Sequence, residues 1–191
     1  MKKLIMLCAA LVLTACASVS QTDLINLTPS STLSSSKAVD GLAFTLTSQD
    51  VRSAQFIAVI KRDDEEQVQP MHAKQNVRKA YEAAVYQQFF SQGFTMTKNS
   101  NNIVNIQVVD ALATVNQGPV KYGIEGKVTL KITAETPNGK FVRTYTGSGT
   151  KSGSFTADKT DVEEVINRVS SRVLTTIAKD SELTKYMKDN F

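Results

Sequence analysis

The chain has 191 residues, a formal net charge of +4, 41% apolar side chains and two cysteines, Cys8 and Cys16. Removing a leader of 15 residues leaves 176, enough for one domain that buries about two-thirds of its unfolded surface, and it also removes Lys2 and Lys3, so 20 basic against 18 acidic residues leave +2. The remaining charges are interspersed, which excludes the basic stripe that a nucleic-acid binder needs. With Cys8 inside the leader and Cys16 at its end, no disulfide framework is available.

Met1, Lys2 and Lys3 open the chain, an apolar run follows from Leu4 to Val12, and Leu13-Thr14-Ala15-Cys16 closes it. That run is too short to span a bilayer as a stable helix, and with small residues before a cysteine it reads as an export signal cleaved ahead of Cys16. A thiol is the side chain that makes a thioether to glycerol, so Cys16 is expected to carry palmitate-type acyl chains as a lipidation site. Several chains anchor durably where one holds only reversibly. Ala17, as the second mature residue, favours the outer membrane, with the domain facing the periplasm. The boundaries follow: 1–15 signal peptide, 16–37 lipidated Cys and Ser/Thr-rich tether, 38–191 a single periplasmic domain. Within the tether, Leu24 to Thr28 can add an edge strand before Pro29 stops it.

Leu42, Phe44 and Leu46 alternate as one side of a strand, and Phe56 to Ile60 is a second short candidate. The acidic run Asp63 to Glu66 lacks the glycine and alternate spacing of a calcium loop and reads as a solvated loop. Val77, Ala80, Tyr81, Ala84, Val85 and Phe89 follow helical spacing up to a left-handed stop at Gly93, with Phe94 folding back on the last turn. His72, the one histidine, has no cysteine or carboxylate at ligand spacing.

The second half predicts a β meander. Ile103 to Val115 is a long strand whose inward set, Val104, Ile106 and Val108, shifts register near Val109-Asp110 as a bulge would make it. From Val120 to Ala134 the period is two, with Val120, Tyr122, Ile124, Val128, Leu130, Ile132 and Ala134 inward. Lys121, Glu125, Lys127, Thr129, Lys131 and Thr133 then line a wet face. Gly126 falls on the buried side, where a helix can approach closely. Pro137-Asn138-Gly139 predicts a hairpin with positive φ at Asn-Gly, returning as Phe141 to Thr146. Gly147 to Gly153 lacks the adjacent glycine and lysine of a phosphate loop and reads as a kinked strand end. Thr160 to Glu163 predicts a capping box. It opens a helix with the stripe Val162, Val165, Ile166, Val169, Val173, Leu174 and Ile177, and a short tail helix from Leu183 to Lys188 docks Tyr186 and Met187. The fold class is α+β: a two-layer sandwich, mainly antiparallel sheet with two amphipathic helices packed on one face.

Cys16, Asp50-Val51-Arg52, Gln117-Gly118-Pro119-Val120-Lys121-Tyr122, and the run from Ser154-Phe155 through Asn167 to Asp189-Asn190 together resemble the YajG family of Gram-negative lipoproteins. The resemblance implies an outer-membrane-anchored periplasmic domain, and it brings no reaction, cofactor or catalytic residues.

The expected function is a non-catalytic binding or scaffolding module at the cell envelope, with Lys121, Glu125, Lys127 and Lys131 as its interaction face. An envelope protein or cell-wall component is the expected partner. The alternative is a carrier or sensor of a small envelope ligand, a lipid or cell-wall fragment, held near Phe44, Tyr81, Phe89 and Tyr122. No cofactor, metal site or catalytic set is expected, since nucleophile elbow, ligand cluster and phosphate loop are all missing. Asp50 and Asp110 would serve as an acid and base pair only if the fold set them about 5 to 9.5 Å apart across a cleft.

Overall fold

The computed structural model describes residues 24–63 and 66–191. The signal peptide, Cys16, Ala17, and Asp64 and Glu65 of the acidic run lie outside the described residues.

The sheet is organised around β5 (Ile103–Gln117). One edge of β5 pairs antiparallel along its whole length with β6 (Lys121–Thr136), which pairs antiparallel with β7 (Gly139–Ser154). The other edge is shared end to end by two strands, both parallel to β5. β1 (Ala43–Asp50) lies against Ile103–Val108, and β2 (Ala58–Arg62) lies against Ala113–Gln117. Two short strands finish it: β3 (Gln69–Met71) is antiparallel to β2, and β4 (Thr95–Met96) is parallel to β1. The class is α+β, and its sheet is a curled, mixed half-barrel: the two longest ladders, β5–β6 and β6–β7, are antiparallel, while β1 and β2 run parallel to β5. The cause is the crossover through α1 (Val77–Ser91), which brings the chain back to β5 in the same direction as β1 and β2.

The core side of the sheet is read as expected from Tyr122 to Ala134, all at most 8% exposed at the inward positions. Val120 is the exception at 70%, because β6 begins one residue later and Val120 sits in the preceding turn. The register shift expected near Val109-Asp110 falls between Val108 and Asp110. β7 runs to Ser154, well past Thr146, because its glycines are packing positions. A Cβ on Gly126, Gly147 or Gly149 would sit 2.7, 2.7 and 2.9 Å from methyls of Val165, Val173 and Val169. Those valines belong to α2 (Lys159–Ala178), which lies directly on the glycine-floored stretch of the sheet.

Two local expectations change. The β6–β7 turn centres on Pro137-Asn138, with Thr136 paired to Gly139, and neither Asn138 nor Gly139 has positive φ. Proline's fixed φ selects the turn, and the Thr136 hydroxyl accepts the Asn138 amide at 3.2 Å. The capping box of α2 is Asp158 with Asp161, two residues ahead of Thr160, whose hydroxyl donates to Asp158 Oδ1 at 2.7 Å. A carboxylate accepts the exposed amides more strongly than a hydroxyl.

α1 ends as read, with Gly93 at φ 97 and Phe94 turned back onto Phe89 and Phe44 in edge-to-face contacts of 5.8 and 6.2 Å between centroids. α1 and α2 meet through Tyr81, whose hydroxyl lies 2.8 Å from Ser170 Oγ. α3 (Ser181–Asn190) buries Leu183 and Met187, while Tyr186 is half-buried against Phe141.

From Leu24 onward the expected tether is packed structure. Ile25 and Leu27 are buried at 0% and 1%, and the segment from Asn26 to Ser34 runs extended between α1 and α2. Asn26, Thr28 and Ser30 donate backbone amides to Glu163, Asn167 and Ser171 at 2.7, 2.7 and 3.0 Å, and the Thr32 hydroxyl meets Thr175 at 2.8 Å. Leu27 and Ser34 amides turn to the α1 side, reaching Gln75 at 2.9 Å and Ser91 at 2.9 Å. The two periods are commensurate: four helical residues rise about 6 Å and two extended residues span about 6.6 Å. A polar side chain every fourth residue of α2 therefore meets every second residue of the strap.

Candidate functional site

Lys121, Glu125, Lys127 and Lys131 stand on one face of β6, and all but Lys131, which is half-buried, are exposed. Across the pairing registers they are flanked mostly by neutral polar residues: Thr114 and Thr150 beside Glu125, Ser148 on one side of Lys127 with Leu112 on the other, Gln107 and Thr144 beside Lys131. The charged row therefore runs about 34 Å along a hydroxyl- and amide-rich surface.

That face has a dent where β1 gives way to β2. Between Asp50 and Ala58 the chain carries seven residues where β5 carries four, so the segment from Val51 to Ile57 loops out beside the bulge. Arg52 closes the gap. Its guanidinium donates to both Asp50 carboxylate oxygens at 2.9 and 2.8 Å and to the carbonyls of Phe56 and Ala111 at 3.1 and 3.5 Å. Only 5% of the Arg52 side chain is exposed, and its hydrogen bonds hold the Asp50 carboxyl below the usual carboxylate range against the opposing effect of burial. Beside it opens a cavity of about 560 Å³ lined by Arg52, Ser53, Phe56, Asp110, Lys127 and Thr146, among others. Lys127 Nζ lies 3.3 Å from Asp110 Oδ2 at its rim, and Thr129 meets Thr146 across the strands at 3.1 Å.

Asp50 and Asp110 thus each face a cation of their own, Arg52 and Lys127, rather than sharing a proton across a cleft. The four aromatic residues expected to hold a small ligand belong to the packing. Phe44 and Phe89 stack edge-to-face at 5.8 Å. Tyr81 is fully buried, which pushes its hydroxyl up to about 12. Tyr122 covers Gly153 and donates to Asp161 at 2.8 Å. Among the described residues no three His, Cys, Asp or Glu side chains gather as a metal site, and no helix is long and apolar enough to cross a membrane. The dent itself was not read from the sequence. Its signals were present, a bulge at Val109-Asp110 and an arginine two residues after an aspartate, but their meeting depends on β1 and β2 sharing one edge of β5.

Fold and face together define an α+β domain with its N-terminal segment strapped over two helices and a charged, dented sheet face on the other side. The chain belongs to the family described as uncharacterized lipoprotein, whose model matches residues 29–188. It is 26% identical over 193 aligned residues to the uncharacterized lipoprotein YajG of Escherichia coli strain K12, covering 99% of this chain and 97% of that one. The same figures hold for YajG of Escherichia coli O6:H1. A crystal structure of protein XCC0632 from Xanthomonas campestris matches with a TM-score of 0.56 over 87% of this chain and 98% of its own, at 13% identity, which bears on the fold alone.

Proposed function

We propose that this chain is a lipid-anchored, non-catalytic binding module, held at the outer membrane through acyl chains on Cys16 and facing the periplasm. It presents the β6 face to an envelope protein or a cell-wall component. The observation that carries the reading is the cavity of about 560 Å³ opening onto the same face as Lys121, Glu125, Lys127 and Lys131. A flat solvated sheet needs no dent, whereas a docking surface gains shape from one. The non-catalytic part is supported by the pairing of Asp50 with Arg52 and of Asp110 with Lys127, an arrangement in which the two carboxylates face different cations rather than each other.

Photo-reactive residues placed at Lys121, Glu125, Lys127 and Lys131 in living cells test this, with controls at the exposed Lys79 and Lys185. The expected result is one partner captured from at least two face positions and from neither control. Capture from the controls with none from the face would overturn the assignment of the surface.

A further inference from the structure

Phe155 is the one non-glycine residue with positive φ among the described residues, at 66°, and its side chain is 74% exposed. A bulky residue in the left-handed region is uncommon, and here no packing of the ring offsets the strain. The backbone around it is nonetheless fixed. The Phe155 amide donates to the Val120 carbonyl at 2.7 Å, and Gln117 Nε2 donates to the Phe155 carbonyl at 2.8 Å. Gln117 Oε1 accepts the Ala157 amide at 3.0 Å. The neighbour that shares this clamp, Val120, is itself 70% exposed, and Val68 on the adjoining β2–β3 loop is 49% exposed. Phe155 and Val120, at one end of the half-barrel, therefore hold apolar side chains out into solvent on hydrogen-bonded backbone.

The same end is where the strap begins. The contacts run in one direction, Asn26 with Glu163, Thr28 with Asn167 and Ser30 with Ser171. Carried back two residues, this register sets Leu24 level with Lys159, the first residue of α2 and four residues after Phe155. Between Cys16 and Leu24 there are eight residue steps, which reach at most about 29 Å whatever their conformation. An anchor at Cys16 therefore keeps Leu24, and the Phe155 end beside it, within that distance of the bilayer.

We propose that Phe155 and Val120 form a second, non-covalent membrane contact, seated at the headgroup boundary of the surface to which the chain is anchored. This rests on the lipid-anchor reading above. An aromatic ring with an aliphatic neighbour suits that boundary, where shallow apolar insertion of about 5 to 10 Å is the usual mode. The charges around the tip are weighted to acid: Lys121 and Lys159 stand against Asp63 and Glu66, with Asp64 and Glu65 between them in the sequence, and Asp158, which caps α2. The contact is therefore led by apolar insertion and gains nothing from anionic lipid. It orients the domain, with the tip toward the membrane and the length of β6 and β7 directed away from it.

The chain contains no tryptophan, so Phe155→Trp is a single reporter at the tip, and Val142→Trp is a control about 40 Å away along β7. Each lipidated mature variant is reconstituted into phosphatidylcholine vesicles with brominated acyl chains. The expected result is emission moved to shorter wavelength and strongly quenched for Phe155→Trp, not strengthened when phosphatidylglycerol is added, with neither effect for Val142→Trp. Protein that stays with the vesicles but shows no quenching at Phe155→Trp overturns this inference alone. A blue shift already present without vesicles, or equal quenching at both positions, overturns it in favour of a protein partner or random orientation. Protein that leaves the vesicles contradicts the anchor reading and this inference with it.

Discussion

Arg52 shows how one side chain lets a strand be interrupted without leaving backbone groups bare. Its donors reach Asp50 and two carbonyls at the gap between β1 and β2, inside a nearly closed site. Replacing it with methionine keeps much of the volume and leaves the Asp50 carboxylate and two carbonyls without their donor. Arg52→Met is expected to lose about 2–4 kcal/mol of stability, lowering the melting temperature by roughly 5–15 °C. Phe155 works in the other sense. Phe155→Gly relieves a left-handed bulky residue at an exposed site, and thermal melting is expected to rise by a few degrees while the tip loses its ring. Asp180 shows the sign of the acid response. Burial would raise its carboxyl, but hydrogen bonds from Tyr145, the Leu183 amide and Arg143 win and hold it below the usual range. A depressed native value means the stabilisation is complete above about pH 4 and is lost as pH falls through that native value. Melting followed against pH should fall below about pH 4 in the natural chain. Asp180→Asn should melt lower at neutral pH and show a shallower acid slope.

At the scale of elements, amphipathic order was legible and long-range pairing was not. The stripe from Val162 to Ile177 is buried to within 2% exposure because period alone decides which face of a helix turns inward. Gly126 was read as an approach point from its place in the alternation of β6, and Val165 stands 2.7 Å from where its Cβ would be. Only the start of the strap was legible, as an edge strand from Leu24 to Thr28, and Ile25 does bridge to Ala73; the rest was hidden because serine and threonine suit a tail as well as a ladder, and its partners at Glu163, Asn167 and Ser171 lie some 140 positions away. The parallel pairing of β1 and β2 with β5 was equally hidden, since a strand's own alternation carries no direction. Two outcomes follow from these contacts. Ile25→Ala should cost about 2–4 kcal/mol by emptying a fully buried site. Limited proteolysis should then cut the strap between Leu24 and Ser34, where the natural chain is protected. Gly149→Ala should cost about 1–3 kcal/mol by pressing on Val169, and the same substitution should cost much less when made in a Val169→Ala background.

For the molecule as a whole, one architecture separates two surfaces. The strap and helices cover one side of the sheet, the charged row and its dent occupy the other, and the Phe155 tip marks the end from which the chain's upstream residues depart. Export and lipidation are expectations drawn from a short linear pattern, whereas the dent required three distant segments to meet. If the tip rests on the bilayer, the row of lysines points along the face away from it, where an envelope partner can reach it. All of this depends on covalent attachment at Cys16, and metabolic labelling with radioactive palmitate tests that attachment directly. The natural chain should take up label and sediment with membranes, and Cys16→Ser should do neither. Equal absence of label in both, with both chains soluble, would contradict the account.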